Sequence, residues 1–116
     1  MTRMIFVNLP VTDLDRSTAF YERIGFTRDQ RFNNEKAAGM VWSDAIMVML
    51  LTREFWRTVT DKAIPDAHGS GQVRLAISCD DRSEVDAMTE AAGTAGGKTD
   101  PNPVQDHGFM YGRSFE

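Results

Sequence analysis

From Met4 to Val11 apolar and polar positions alternate through a run rich in β-branched and aromatic residues. Ile5, Val7, Leu9 and Val11 fall on one side, and Phe6, Asn8 and Pro10 on the other. A period of two predicts a strand, with Pro10 near its end or at an edge because it has no amide proton to give. The period then changes. Leu14, Ser17, Tyr21 and Ile24 recur at helical spacing, and Phe20 widens the stripe. With Asp13 as N-cap and Gly25 as stop, residues 14–24 are predicted to form an amphipathic helix. The polar stretch Arg28–Lys36 predicts no element. Met40–Trp42 and Ile46–Leu51 flank Ser43-Asp44-Ala45, which predicts a hairpin, and Thr52 is placed to cap a brief helix carrying Phe55, Trp56 and Val59.

Residues 61–71 contain Pro65, Gly69 and Gly71 and read as a linker. Beyond it, Gln72–Cys79 alternates again and predicts a second strand. Asp81 and Glu84 have capping-box spacing, and Val85, Met88 and Ala92 make a helical stripe ending at Gly93. A loop with Gly96, Gly97, Pro101 and Pro103 leads to His107–Phe115, whose aromatic alternation predicts a last strand. The halves fall in register at an offset of 68, which carries Val7 to Leu75, Leu9 to Ile77, Asp13 to Asp81, Phe20 to Met88 and Gly25 to Gly93. Strand, cap, helix and stop keep step together, so the chain reads as a duplication. Its modules are about 1–60 and 72–116, in a single domain, and a period this long means paired modules instead of a solenoid.

Composition narrows the partners. With 116 residues, 41% hydrophobic and 26% charged, the chain has the make-up of one folded domain. A net charge of -4 and scattered basic residues argue against a nucleic-acid surface. Its apolar N-terminal run is too short to span a membrane, which leaves the cytoplasm as the expected location. Cys79 is the only cysteine, so no disulfide can form within the chain, and it reads as a small buried hydrophobe before a reactive thiol.

The segment Val11-Thr-Asp-Leu-Asp-Arg-Ser-Thr-Ala-Phe-Tyr-Glu-Arg-Ile-Gly-Phe26 resembles the opening helix of the vicinal oxygen chelate superfamily, which groups glyoxalases, bleomycin-resistance proteins and extradiol dioxygenases. His107–Phe115 is similar to a late strand of the same proteins. More narrowly, the chain looks like the branch described as predicted lactoylglutathione lyases. The resemblance implies an α+β fold of two βαβββ modules whose mixed sheets curl into a cup, commonly completed by a homodimer. The family pattern continues past such an ending with Asp-Pro-Asp-Gly and one more strand. Here the sequence stops at Glu116, so the second module is expected to lack its last strand, either because the chain is truncated or because that strand is absent, and to leave a sheet edge that something else should cover.

Metal-dependent members hold a divalent ion with four side chains, one on the first and one on the last strand of each module. Those positions fall here on Phe6, on Arg74, on the ligand-free run Ile46–Leu51, and beyond Glu116. No metal and no other cofactor is therefore expected. The same positions outline a cup for a small molecule, with Phe6, Asn8 and Arg74 pointing inward and His107 and Tyr111 adding polar tips. Arg74 can clamp an anionic or carbonyl group, or pair with a carboxylate at a rim or dimer contact. Asn8 can orient a ligand or satisfy backbone, and His107 can simply hydrogen-bond at a strand start. Trp42, Trp56 and Phe55 read as core or subunit-contact residues. No catalytic residue is assigned. The expected function is small-molecule binding without the usual metal. The alternative is a metal-dependent lactoylglutathione lyase-like enzyme or a dioxygenase-type relative.

Overall fold

A computed structural model describes residues 2–116. The alternating N-terminal run forms β1 (Ile5–Val11), and Asp13 caps α1 (Leu14–Arg23) by accepting the Arg16 backbone N–H at 3.1 Å. Gly25 ends that helix with φ +116, a left-handed conformation that favours glycine. The chain then runs through β2 (Thr27–Asn33), β3 (Ala37–Val41) and β4 (Ile46–Thr52). Thr52 closes β4 and caps α2 (Arg53–Val59), its hydroxyl accepting the Phe55 N–H at 3.1 Å. These four strands make one mixed sheet in the order β1-β4-β3-β2. β1 and β4 pair in parallel, and the other two ladders are antiparallel.

β2 occupies the polar stretch for which the pattern predicts nothing. It is an edge strand with most of its residues exposed, so burial imposes no apolar alternation on it. Register assigns the two faces of the sheet. Val7 lies beside Val48 and Leu9 beside Leu50, while Val48 faces Met40 and Leu50 faces Ala38 across the next ladder. These residues form the core under α1, together with Ile24, Phe26 and Ala92. Met40 and Leu50 are wholly buried. Trp42, a partly buried residue against the core, meets Phe26 in a tilted contact at 5.1 Å between ring centres and packs over Gly25.

The second half is less regular. Asp81 caps α3 (Arg82–Thr94) through the Glu84 N–H at 2.9 Å, and the Glu84 carboxylate accepts the Asp80 N–H at 3.0 Å. The helix runs past Gly93, and the left-handed glycine that follows it is Gly96, with φ +103. β5 (Gln105–Asp106) and β6 (Tyr111–Gly112) make a short hairpin that turns through Gly108, and a single bridge joins Thr99 to Phe115. The aromatic run His107–Phe115 is thus half turn and half strand.

The expected strand at Gln72–Cys79 is in no sheet. Val73, Leu75 and Ile77 are 72%, 52% and 37% exposed. Module one supplies the reason: β1 is hydrogen-bonded to β4 alone, and among the described residues the second half has no strand equivalent to β4. The halves meet instead through α1 and α3, with Phe20 near Phe115 at 6.1 Å. Gly97 sits at that junction, where a Cβ would lie 2.9 Å from the Ala92 carbonyl and 3.0 Å from Phe20.

Arg113 ties β6 to α3. Only 14% exposed, its guanidinium bonds Asp100 at 2.6 Å, Asp86 at 3.2 Å and Glu90 at 3.1 Å. Arg82 pairs with Asp106 at 2.7 Å and lies over the Tyr111 ring. The Tyr111 hydroxyl and then Arg113 hold the Asp86 carboxyl below its ordinary value, Arg113 does the same for Asp100, and Arg82, then the Gly108 N–H, bring Asp106 down to about 2.

Two predictions follow from this architecture. Leu50→Ala leaves a cavity in the centre of the sheet and should cost about 2–5 kcal/mol of unfolding free energy, measured by urea titration. Carboxyls depressed in the folded state stabilise it above their unfolded value of 3.8, and that stabilisation is lost as pH falls toward about 2. The melting temperature should therefore drop across that window, and Asp100→Asn, lacking one of Arg113's partners, should drop less steeply than the parent.

Candidate functional site

The sheet face opposite the core carries Asn8, Met49 and Leu51, and it is covered at one side by α2. Alternation puts them there, because each is one position from a residue packed under α1. Above this face lies a pocket of about 680 Å³. Its floor is Ala37, Met49 and Leu51, and α2 contributes Phe55, Trp56 and Val59. That Thr52 begins α2 directly at the end of β4 is what brings both rings over the sheet.

The other wall comes from a register shift between Asp29 and Asn33, where β2 bulges away from β3. Bulges re-aim side chains, and this one sets Arg31 and Phe32 at the pocket edge. Arg31 donates to both oxygens of Asp29, at 3.1 and 2.8 Å, and its guanidinium lies 5.4 Å from the centre of the Phe32 ring. The Arg31 hydrogen bonds hold the Asp29 carboxyl below its ordinary range, so the pair is ionised on both sides and neutral together. Asn34 is fixed by an Asx turn, its side-chain oxygen accepting the N–H groups of Lys36 and Ala37 at 2.8 and 3.0 Å. Gly39 lies under Met49 and Phe32. A Cβ there would come within 3.0 Å of the Phe32 Cβ and the Met47 methyl.

Of the five residues that the sequence singles out, Asn8 alone lines this pocket. Phe6 shares Asn8's strand, is 49% exposed and lies outside the lining. Arg74 sits in the exposed, unpaired segment after the linker. The Tyr111 hydroxyl donates to Asp86 at 2.7 Å and belongs to the Arg113 cluster. His107 is at the exposed hairpin tip, its N–H bonded to the Met110 carbonyl at 2.8 Å and its ring 6.3 Å from Phe109. The structure does not bring these five together. Phe55 and Trp56, which the sequence reads as core or contact residues, are pocket walls. A signal for them was present: Thr52 as cap puts two consecutive aromatic residues on one short helix beside the sheet.

The donor set does not fit a divalent metal. The pocket offers two amides, one hydroxyl and a guanidinium already neutralised by Asp29, whereas such ions need several carboxylate, imidazole or thiolate ligands. Among the described residues no three His, Cys, Asp or Glu side chains gather closely enough to hold one. The free thiol of Cys79 is partly exposed. Burial, then Glu84, Asp80 and Asp81, push its thiol up and keep it protonated.

Residues 3–43 match the bleomycin resistance protein-like N-terminal family. No curated protein matches the chain significantly. Among solved structures, the hypothetical protein SA1046 from S. aureus aligns with 100% of this chain and 86% of its own, at a TM-score of 0.80 and 25% identity. A glyoxalase/bleomycin resistance protein/dioxygenase family enzyme from Burkholderia phytofirmans PsJN aligns with 98% of this chain and 89% of its own, at 0.72 and 17%. A glyoxalase/bleomycin resistance protein from Albidiferax ferrireducens T118 aligns with 91% and 82%, at 0.63 and 21%. The family match covers the segment from β1 through β3, and the solved structures share the fold over nearly the whole chain.

Proposed function

We propose that this chain captures a small organic molecule in the pocket between the sheet and α2, and does so without a divalent metal. The observation that carries the reading is the lining itself. A volume of about 680 Å³ walled mainly by apolar and aromatic groups, with two amides, one hydroxyl and the Asp29-paired Arg31 among them, has the size and character of a small-molecule site. Nothing in it can act as a paired acid and base, so the reading is binding by sequestration in place of turnover.

A homodimer belongs to the same proposal. Phe109 is 90% exposed and Ile5 62%, and the unpaired segment from Val73 to Ile77 adds further apolar surface that a second copy would remove from water. The place of action proposed is the cytoplasm, since no helix among the described residues is long and apolar enough to cross a membrane and the lone Cys79 needs no oxidising compartment.

Elemental analysis of the purified chain should find no stoichiometric divalent metal, and added Ni²⁺ or Zn²⁺ should not elicit lactoylglutathione from the methylglyoxal–glutathione hemithioacetal. One tightly held ion per chain, or metal-stimulated turnover, would restore the lyase reading. Sedimentation equilibrium should give twice the chain mass, and a monomer at all concentrations would remove the dimer.

A further inference from the structure

We infer that this pocket takes an uncharged, flat aromatic molecule that carries a hydrogen-bonding group for Asn8. The inference rests on the pocket reading above and adds the class of ligand. Charge is the first argument. No carboxylate lines the pocket, and the one cation in its lining, Arg31, already spends two hydrogen bonds on Asp29. A cationic ligand would meet no carboxylate in the lining, and an anionic one would meet a guanidinium already matched by Asp29, so neither sign recovers in full the hydration it gives up. The basic side chains of α2, Arg53 and Arg57, face a separate depression with Lys62, and the two hollows share only Thr60.

Shape and polarisability supply the second argument. Phe32, Phe55 and Trp56 present ring surfaces, and Met49 adds a thioether between them and the sheet. Aromatic pairs and sulfur–aromatic contacts stabilise a planar ring beyond the area it buries, an advantage that an aliphatic chain of equal area does not have. Among the polar groups, the Asn34 oxygen is engaged by two backbone N–H groups, and the Thr60 hydroxyl accepts the Lys62 N–H at 3.3 Å. Asn8 keeps an exposed amide, offering both a donor and an acceptor from the sheet face.

The test compares two probes built on one aromatic skeleton, phenylnaphthylamine and its sulfonated analogue anilinonaphthalene sulfonate, by fluorescence titration of the full chain. The neutral probe should bind one per chain and about tenfold more tightly than the sulfonate, with little dependence on salt. Trp56→Ala should weaken it about tenfold. Asn8→Ala, a change on the open face that leaves the core intact, should weaken it several-fold. Circular dichroism of each variant checks that the fold is retained. Equal or tighter binding of the sulfonate, still lost in Trp56→Ala, would overturn the ligand class and leave the pocket standing. Binding of the neutral probe that survives both substitutions, or no binding of either probe, would overturn the pocket and the ligand class with it.

Discussion

The parallel pairing of β1 with β4 is the contact on which the rest of the structure depends. It joins residues about forty positions apart, sets Val7 and Leu9 beside Val48 and Leu50, and thereby builds the layer that α1 covers. Met40 and Leu50 are removed completely from water at its centre. Hydrophobic burial of this kind is non-directional, but a ladder is not: with a side-chain period of two, a slip of one residue would send the whole layer to the other face. Within the apolar run Ile46–Leu51, Met47 and Leu51 are buried on one face and Val48 and Leu50 on the other, so its own pattern does not choose a face. The register against β1 chooses for it.

That choice also creates the site. Once Val48 and Leu50 point under α1, Met49 and Leu51 must point the other way, and Asn8 must join them from β1. A bare sheet face would expose these residues. α2, started by the Thr52 cap at the end of β4, covers them on one side, and the bulge in β2 raises Phe32 on the other. The pocket is therefore a by-product of two local devices, a cap and a bulge, acting on one registered sheet. Its electrostatics are local as well, because Arg31 lies two residues from Asp29 within the bulged segment and pairs with both of its oxygens.

The second half shares the capped helix of the first and departs from it on both sides of that helix. Asp81 caps α3 as Asp13 caps α1, and each helix has one fully covered threonine whose hydroxyl returns to a carbonyl four residues back. There the correspondence weakens. With no counterpart of β4 among the described residues, Val73–Cys79 has no ladder, and ionic contacts do the work that sheet packing does in module one. Arg113 bridges Asp86 and Glu90 on α3 to Asp100, and Gly97 lets Phe20, α3 and the segment around Phe115 approach closely. Charged contacts near the surface are weak one at a time, and a shielded guanidinium shared among three carboxylates gains from acting as a network.

Local chemistry by itself determined β1, α1 with its Asp13 cap and Gly25 stop, the β3–β4 hairpin, α2 and α3, and with them the family resemblance of the first half. These are short-range events: an alternation, a cap or a left-handed glycine needs only its neighbours. Tertiary structure alone decided three things. β2 is polar because it lies at an edge, and edge strands need no pattern. Gln72–Cys79 has the alternation of a strand but no strand partner among the described residues, and a strand exists only as part of a ladder. Finally, the pocket takes in one of the five expected residues, Asn8, and takes its walls from Phe32, Phe55 and Trp56. Which side chains share a cavity depends on strand register and on where a helix lands, and both are properties of contacts between segments distant in the chain.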